Sequence, residues 1–241
     1  EELFMFLRGE TNSKILEEKN VNIWKGNTSR EFLDSQKLYE YKEGDMGPMY
    51  FFNILHAGVE YKGCDYDYKN EGFNQLEHCI NLLKNDPTSR RIIMTTFIPH
   101  IADRGCLYPC HGIVIQFYVK IKDNKNYLSC HMYQRSCDTF LGLPFNITQY
   151  SLLTYLICNE INNDLSYDGN KYYPDELIIS LGDVHIYENQ IDVVKEQIER
   201  KPYSFPQLII RNNKKLDEYN FEDFEIINYN YHPVLKVPMM I

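Results

Sequence analysis

The segment 147–161 constrains the fold most, because Ile, Leu, Tyr and Cys fill it on nearly every side of a 3.6-residue period. A helix with so little polar surface has to be buried, so it is expected to be the central core helix. Strands are predicted ahead of it at 91–97, 113–120 and 127–134, the last alternating Leu128, Cys130, Met132 and Gln134 against Ser129, His131, Tyr133 and Arg135. Helices are predicted at 1–7, where Gly9 stops the pattern, at 13–19, and at 74–84, where Asp86-Pro87 breaks it. Beyond the core helix come a strand at 176–180, a turn carrying Gly182-Asp183, a helix at 191–200 and strands at 207–211 and 224–229. Strands clustered between helices, without strict βαβ alternation, give an α+β class with a mixed sheet layered with helices.

Length sets one domain over 1–241: no repeat, low-complexity linker or long charge block divides the 241 residues, 44% of which are hydrophobic. No apolar run approaches the roughly 20 residues that span a bilayer, and Glu1-Glu2 stand where a signal peptide would be basic. The seven cysteines are odd in number and scattered, which argues against a disulfide framework and for a reducing, cytoplasmic compartment. Paired C-x-x-C spacing is missing, so no metal is expected. A formal charge of -9 disfavours general nucleic-acid binding, and an anionic substrate would need a local arginine cluster. Arg135 and the pair Arg90-Arg91 are the candidates, since a guanidinium matches phosphate bidentately.

The run Leu107-Tyr108-Pro109-Cys110-His111 reads as a turn entering a strand, with Cys110 at the strand entrance. About twenty residues on, Tyr133-Gln134-Arg135-Ser136-Cys137-Asp138 closes the next strand with polar groups, so a thiol and an anion-binding arginine fall in one region. An isolated cysteine is more often a small core hydrophobe than a nucleophile. His111 is not expected to serve Cys110 as a base, because neighbours on a strand point to opposite faces. Taken alone, Asn146 reads as an N-cap of the apolar helix.

Pro109-Cys110-His111, Gln134-Arg135-Ser136-Cys137-Asp138, Leu141-Gly142-Leu143-Pro144-Phe145-Asn146 and Gly182-Asp183-x-His185-x-Tyr187, in that order and spacing, resemble the thymidylate synthase family. The likeness extends from Glu2-Leu3 through Ile23-Trp24 and Gly44-Asp45-x-Gly47-Pro48-x-Tyr50 to Ile241. It implies a methyltransferase that makes dTMP from dUMP with 5,10-methylenetetrahydrofolate, through a covalent bond from Cys110 to carbon 6 of the pyrimidine. Sulfur suits that task because a thiolate is nucleophilic near neutral pH, the more so beside a cation.

The same resemblance distributes the remaining roles. Arg135 would hold the nucleotide phosphate and touch the Cys110 sulfur, with Gln134 and Ser136 beside it and Arg90 and Arg91 reaching in from the partner of a homodimer that packs through the sheet. Asn146 would hydrogen-bond the uracil edge and favour uracil over cytosine, while His185 and Tyr187 would reach the deoxyribose hydroxyl. Asp138 would meet both pyrimidine and pterin, and Ile23, Trp24, Asn27, Leu141, Gly142 and Phe145 would line the folate wall. Glu2 would organise proton transfer, with Tyr50 helping to remove the carbon 5 proton.

Family members begin well before Glu2, with a strand and an arginine loop, so the resemblance implies an N-terminally truncated chain or the synthase part of a longer one, such as a reductase fusion. Local departures are Lys25, Phe51-Phe52-Asn53-Ile54-Leu55 and Phe97-Ile98. Two rivals follow. A dUMP hydroxymethylase would release a hydroxymethyl product without dihydrofolate, and a catalytically silent nucleotide- or RNA-binding protein would bind without turnover.

Overall fold

The apolar helix and the strand pair before it organise the chain in a computed structural model that describes residues 1–240. Strands β1 (Ile93–Met94), β2 (Val114–Lys122), β3 (Lys125–Asp138) and β4 (Tyr172–His185) form one sheet in the order β1-β2-β3-β4. The first two pairings are antiparallel and β3–β4 is parallel, so the sheet is mixed, as expected. Asp123 and Asn124 both take positive φ between Lys122 and Lys125, the geometry that a two-residue hairpin needs.

Alternation sorts the faces. Ile115, Phe117 and Val119 of β2 join Leu128, Cys130 and Met132 of β3 in the core with Leu153, Ile157 and Ile161 of the long helix α6 (Gly142–Asn163). α6 packs against β3 and β4. Truncating a core side chain such as Met132 to alanine would cost roughly 2–5 kcal/mol. The opposite face leaves Ile93, Val114, Tyr118, Tyr133 and Ile178 exposed.

Shorter helices precede the sheet in the order α1 (Glu2–Leu7), α2 (Lys14–Glu17), α3 (Arg30–Ser35), α4 (Phe51–Leu55) and α5 (Gln75–Asn85). After it come α7 (Ile191–Ile198) and the antiparallel pair β5 (Gln207–Ile210) and β6 (Phe224–Ile227). Phe4 of α1 stacks on Phe224 of β6, with ring centroids 5.3 Å apart, tying the two ends of the chain together.

Three sequence expectations are corrected, and two helices are added. The strand expected at 91–97 shrinks to Ile93–Met94, because the next backbone groups are claimed elsewhere: Thr95 N donates to Gln75 Oε1 at 2.9 Å and Thr96 N to the Gly112 carbonyl. The expected turn at Gly182-Asp183 lies inside β4, where a Cβ on Gly182 would sit 2.6 Å from the Arg135 carbonyl oxygen, so glycine permits the close approach. Asn146 is not the N-cap of α6, which begins at Gly142 because the Asp138 carboxylate already accepts from the Phe140 and Leu141 amides. Helices α3 and α4 were not expected; Ser29, whose hydroxyl accepts from Phe32 N at 3.2 Å, was the available signal for α3.

Candidate active site

Cys110 lies in the loop ahead of β2, half-buried, and the end of β3 holds that loop in place. Arg135 N donates to the Cys110 carbonyl at 2.8 Å, Ser136 N donates to the same oxygen at 3.3 Å, and Arg135 Nε donates to the Pro109 carbonyl at 3.2 Å. The guanidinium therefore has little freedom, and its Nη2 donates to Cys110 Sγ at 3.8 Å. Five other cysteines are buried; burial pushes the Cys106, Cys130 and Cys158 thiols up to about 12, which keeps them inert.

Behind Cys110 the site is aromatic and buried. The Tyr50 hydroxyl accepts from Cys110 N at 3.2 Å, and the buried Tyr50 ring lies 4.5 Å from the His111 ring. His111 Nδ1 shares a hydrogen bond with the Tyr150 hydroxyl at 2.9 Å. Burial pulls His111 down to about 3, so it is neutral at physiological pH, and its partner is Tyr150 rather than the sulfur. The strand alternation expected to separate His111 from Cys110 does not apply, because both lie in the loop before β2, which starts at Val114. Gly112 follows with φ of 65°, a left-handed position where an added Cβ would run into the Tyr150 hydroxyl.

Glu2 reaches the same aromatic cluster from α1. Its Oε1 accepts from Trp24 Nε1 at 2.6 Å and its Oε2 accepts from Gln149 Nε2 of α6. Burial raises the Glu2 carboxyl above its ordinary value, and the two donated hydrogen bonds oppose that rise. Trp24 is itself buried, and its ring meets the Tyr50 ring edge-on at 5.8 Å. Ile23 and Phe145 are exposed, Leu141 and Gly142 are half-buried at the start of α6, and Asn27 is buried.

On the sheet side, Gln134 is buried and donates from Nε2 to Asn146 Oδ1 at 2.9 Å. Parallel pairing of β3 with β4 sets Ser136 opposite Asp183 and Asp138 opposite His185. His185 and Tyr187 share one side of the extended chain, with rings 5.0 Å apart. Buried Gln190 braces this corner: its Nε2 donates to the Asp138 carboxylate at 3.0 Å and its Oε1 accepts from Tyr187 N at 3.1 Å.

These contacts link Cys110, Arg135, Ser136, Tyr50, Trp24 and Glu2 into one cluster, and Gln134, Asn146, Asp138, His185 and Tyr187 into the adjoining wall. Arg90 and Arg91 stand apart, exposed in the turn before β1 and without an ion-pair partner among the described residues. Sequence reasoning missed Gln149, Tyr150 and Gln190. The first two follow Asn146 at i+3 and i+4, the spacing that puts side chains on one helix face, and that was the usable signal. Among the described residues no group of three His, Cys, Asp or Glu is placed to hold a metal.

A half-buried thiol beside a fixed guanidinium, at the end of a mixed sheet backed by a long apolar helix, defines the class: an α+β protein with a thiol and a cation side by side. Residues 1–241 match the thymidylate synthase family model over their whole length. The chain is 46% identical to a bifunctional dihydrofolate reductase-thymidylate synthase of Paramecium tetraurelia across 100% of its own length and 49% of that protein. It is 44% identical to the thymidylate synthase of Candida albicans, of which it covers 79%, and 44% identical to that of Homo sapiens, of which it covers 73%. The chain belongs to the thymidylate synthase family. It spans about half the length of the bifunctional relatives that it matches.

Proposed function

We propose that this chain is a single catalytic unit that converts dUMP to dTMP, with methylenetetrahydrofolate as co-substrate. The observation that carries the reading is the Cys110 sulfur held 3.8 Å from the Arg135 guanidinium in a chain of this family. Cys110 as thiolate adds to carbon 6 of uracil, and the electron pair moves through carbon 5 onto the carbonyl oxygen. Carbon 5 thereby becomes nucleophilic. Arg135 and Ser136 take the phosphate, and Gln134 holds the Asn146 amide toward the pyrimidine edge where charge develops.

Glu2 and Tyr50 manage the protons. The enclosed Glu2 carboxyl, raised by burial, is poised to exchange a proton with the pyrimidine carbonyl through water. Burial also holds the Tyr50 hydroxyl well above its ordinary value, so it stays protonated at neutral pH and assists loss of the carbon 5 proton by orienting water rather than as a phenolate. His185 and Tyr187 hold the deoxyribose hydroxyl, and Asp138, braced by Gln190, orders the wall between the two ligands. The folate supplies one carbon and one hydride, so the products are dTMP and dihydrofolate and no outside reductant is consumed. Exposed Ile23 and Phe145, with Leu141, Gly142 and the edges of Trp24 and Asn27, offer it an apolar wall with few polar handles.

The active form is a homodimer closed through the sheet. Supporting this are the exposed apolar residues Ile93, Val114, Tyr118, Tyr133 and Ile178 on the outer sheet face and the unpaired Arg90 and Arg91, which would complete the partner's phosphate site. No helix among the described residues is long and apolar enough to cross a membrane, and with every cysteine free a reducing, cytoplasmic compartment suits the protein.

The test uses the full polypeptide that carries this chain. With both substrates it should release dihydrofolate and dTMP in equal amounts. With the folate and 5-fluoro-dUMP, whose carbon 5 fluorine cannot leave as the proton does, the reaction should stall as a covalent adduct mapped to Cys110. A hydroxymethyl product without dihydrofolate, or an adduct on another cysteine, would overturn the proposal.

A further inference from the structure

Glu2 is gripped from two directions by residues distant in the chain: Trp24 Nε1 on one oxygen and Gln149 Nε2, 147 positions away, on the other. Gln149 sits on α6 between Asn146 and Tyr150, each of which holds another part of the site, Asn146 through Gln134 and Tyr150 through His111. One helix face thus fixes the uracil-reading amide, the proton-carrying carboxyl and the ring behind the nucleophile together. A side chain borne on a long, packed helix holds its geometry better than one on a loop.

We propose that Gln149 is a positioning residue for Glu2, its amide N–H fixing the carboxylate's orientation and favouring its ionised form. This rests on the proton-carrying role proposed for Glu2. The amide donates and carries no ionisable proton of its own, so it steadies the carboxylate without competing for the proton that Glu2 must take up and give back. Trp24 alone would leave Oε2 enclosed with no donor, and the protonated carboxyl would gain. The directions agree: burial drives the Glu2 carboxyl up, and the bonds from Trp24 and Gln149 pull it back.

The experiment compares the full polypeptide with Gln149→Met, which keeps the side-chain shape but donates nothing. Gln149→Asn, which keeps the amide but falls short of Glu2, serves as the second variant should the first fail to fold. Glu2 is titrated by its carboxyl infrared band, identified as the band missing from Glu2→Gln. The pH profile of tritium release from [5-³H]dUMP is recorded alongside. Either Gln149 variant should move the Glu2 midpoint, and the limb of the profile that follows it, to higher pH by about one unit. A residue that only filled space would leave both unmoved, and an unmoved midpoint in a folded variant overturns the proposal. Wild-type turnover in Glu2→Gln would instead overturn the reading of Glu2 itself, and the two failures are told apart by which variant shows them.

Discussion

Cys110 and Glu2 enter the same cluster from opposite sides and are handled in opposite ways. Cys110 is half-open, sits on a loop and has a full cation, Arg135, beside its sulfur. Glu2 is also half-buried, but its carboxyl is desolvated by burial; it sits at the start of a helix with a buried flank and accepts hydrogen bonds only from the neutral donors Trp24 and Gln149. The difference follows the chemistry proposed for each. A nucleophile has to be ionised before substrate arrives and has to be reachable, so charge and access help it. A group that takes and returns a proton has to keep both states within reach, so neutral hydrogen bonds balanced against burial serve it better than a counter-ion.

The largest effect expected from breaking this comparison is at the sulfur. Cys110→Ala should lower dTMP formation by roughly 10⁴-fold or more, with dUMP binding by calorimetry retained, because the covalent step has no substitute. A variant within tenfold of wild type would break the assignment. Next is the cation: Arg135→Gln should cost roughly 10²–10³-fold in kcat/KM, and Arg135→Lys should recover only part of it, since an ammonium cannot hold the Pro109 carbonyl and the sulfur with one planar fork. Full recovery by lysine would reduce the cation's role to bulk charge.

Stability should respond to the ring behind the nucleophile. His111 falls from an ordinary 6.5 to about 3 in the folded chain, so the unfolded chain takes up a proton below pH 6.5 and the native chain does not until about pH 3. The contribution is complete above pH 6.5 and is lost as pH falls through that window, at up to about 1.4 kcal/mol per pH unit. Urea midpoints at pH 7 and pH 5 should therefore differ less in His111→Gln than in wild type. Equal pH dependence in the two would show that His111 takes up its proton in the folded chain. The smallest effect is expected at Trp24→Phe, which keeps most of the aromatic packing but leaves Glu2 Oε1 without a donor, at a cost of about 1–3 kcal/mol in unfolding free energy. No loss would mean that water replaces the indole.

Residues whose role depends on local pattern were readable in the chain. The alternation in 127–134 marked β3, the apolar run marked α6, and the two motifs put Cys110 and Arg135 in one region, where the structure has them in contact. Boundaries failed where distant groups decided them: the Gln75 side chain ends β1, the Asp138 side chain starts α6 four residues before Asn146, and Gly182, lacking a Cβ, lets β4 pass close to the Arg135 carbonyl without turning.

Sequence by itself determined the fold class and the family, because hydrophobic period and motif order are properties of neighbours along the chain. Only the tertiary structure decided that Trp24 and Gln149 meet on Glu2, that His111 turns to Tyr150, and that Gln190 braces Asp138. Those partners lie 22, 147, 39 and 52 positions apart, and each meets its own only once the helices and sheet have packed. A hydrogen bond is short and directional, so its partner is set by where the packed core puts the donor and not by any spacing in the sequence.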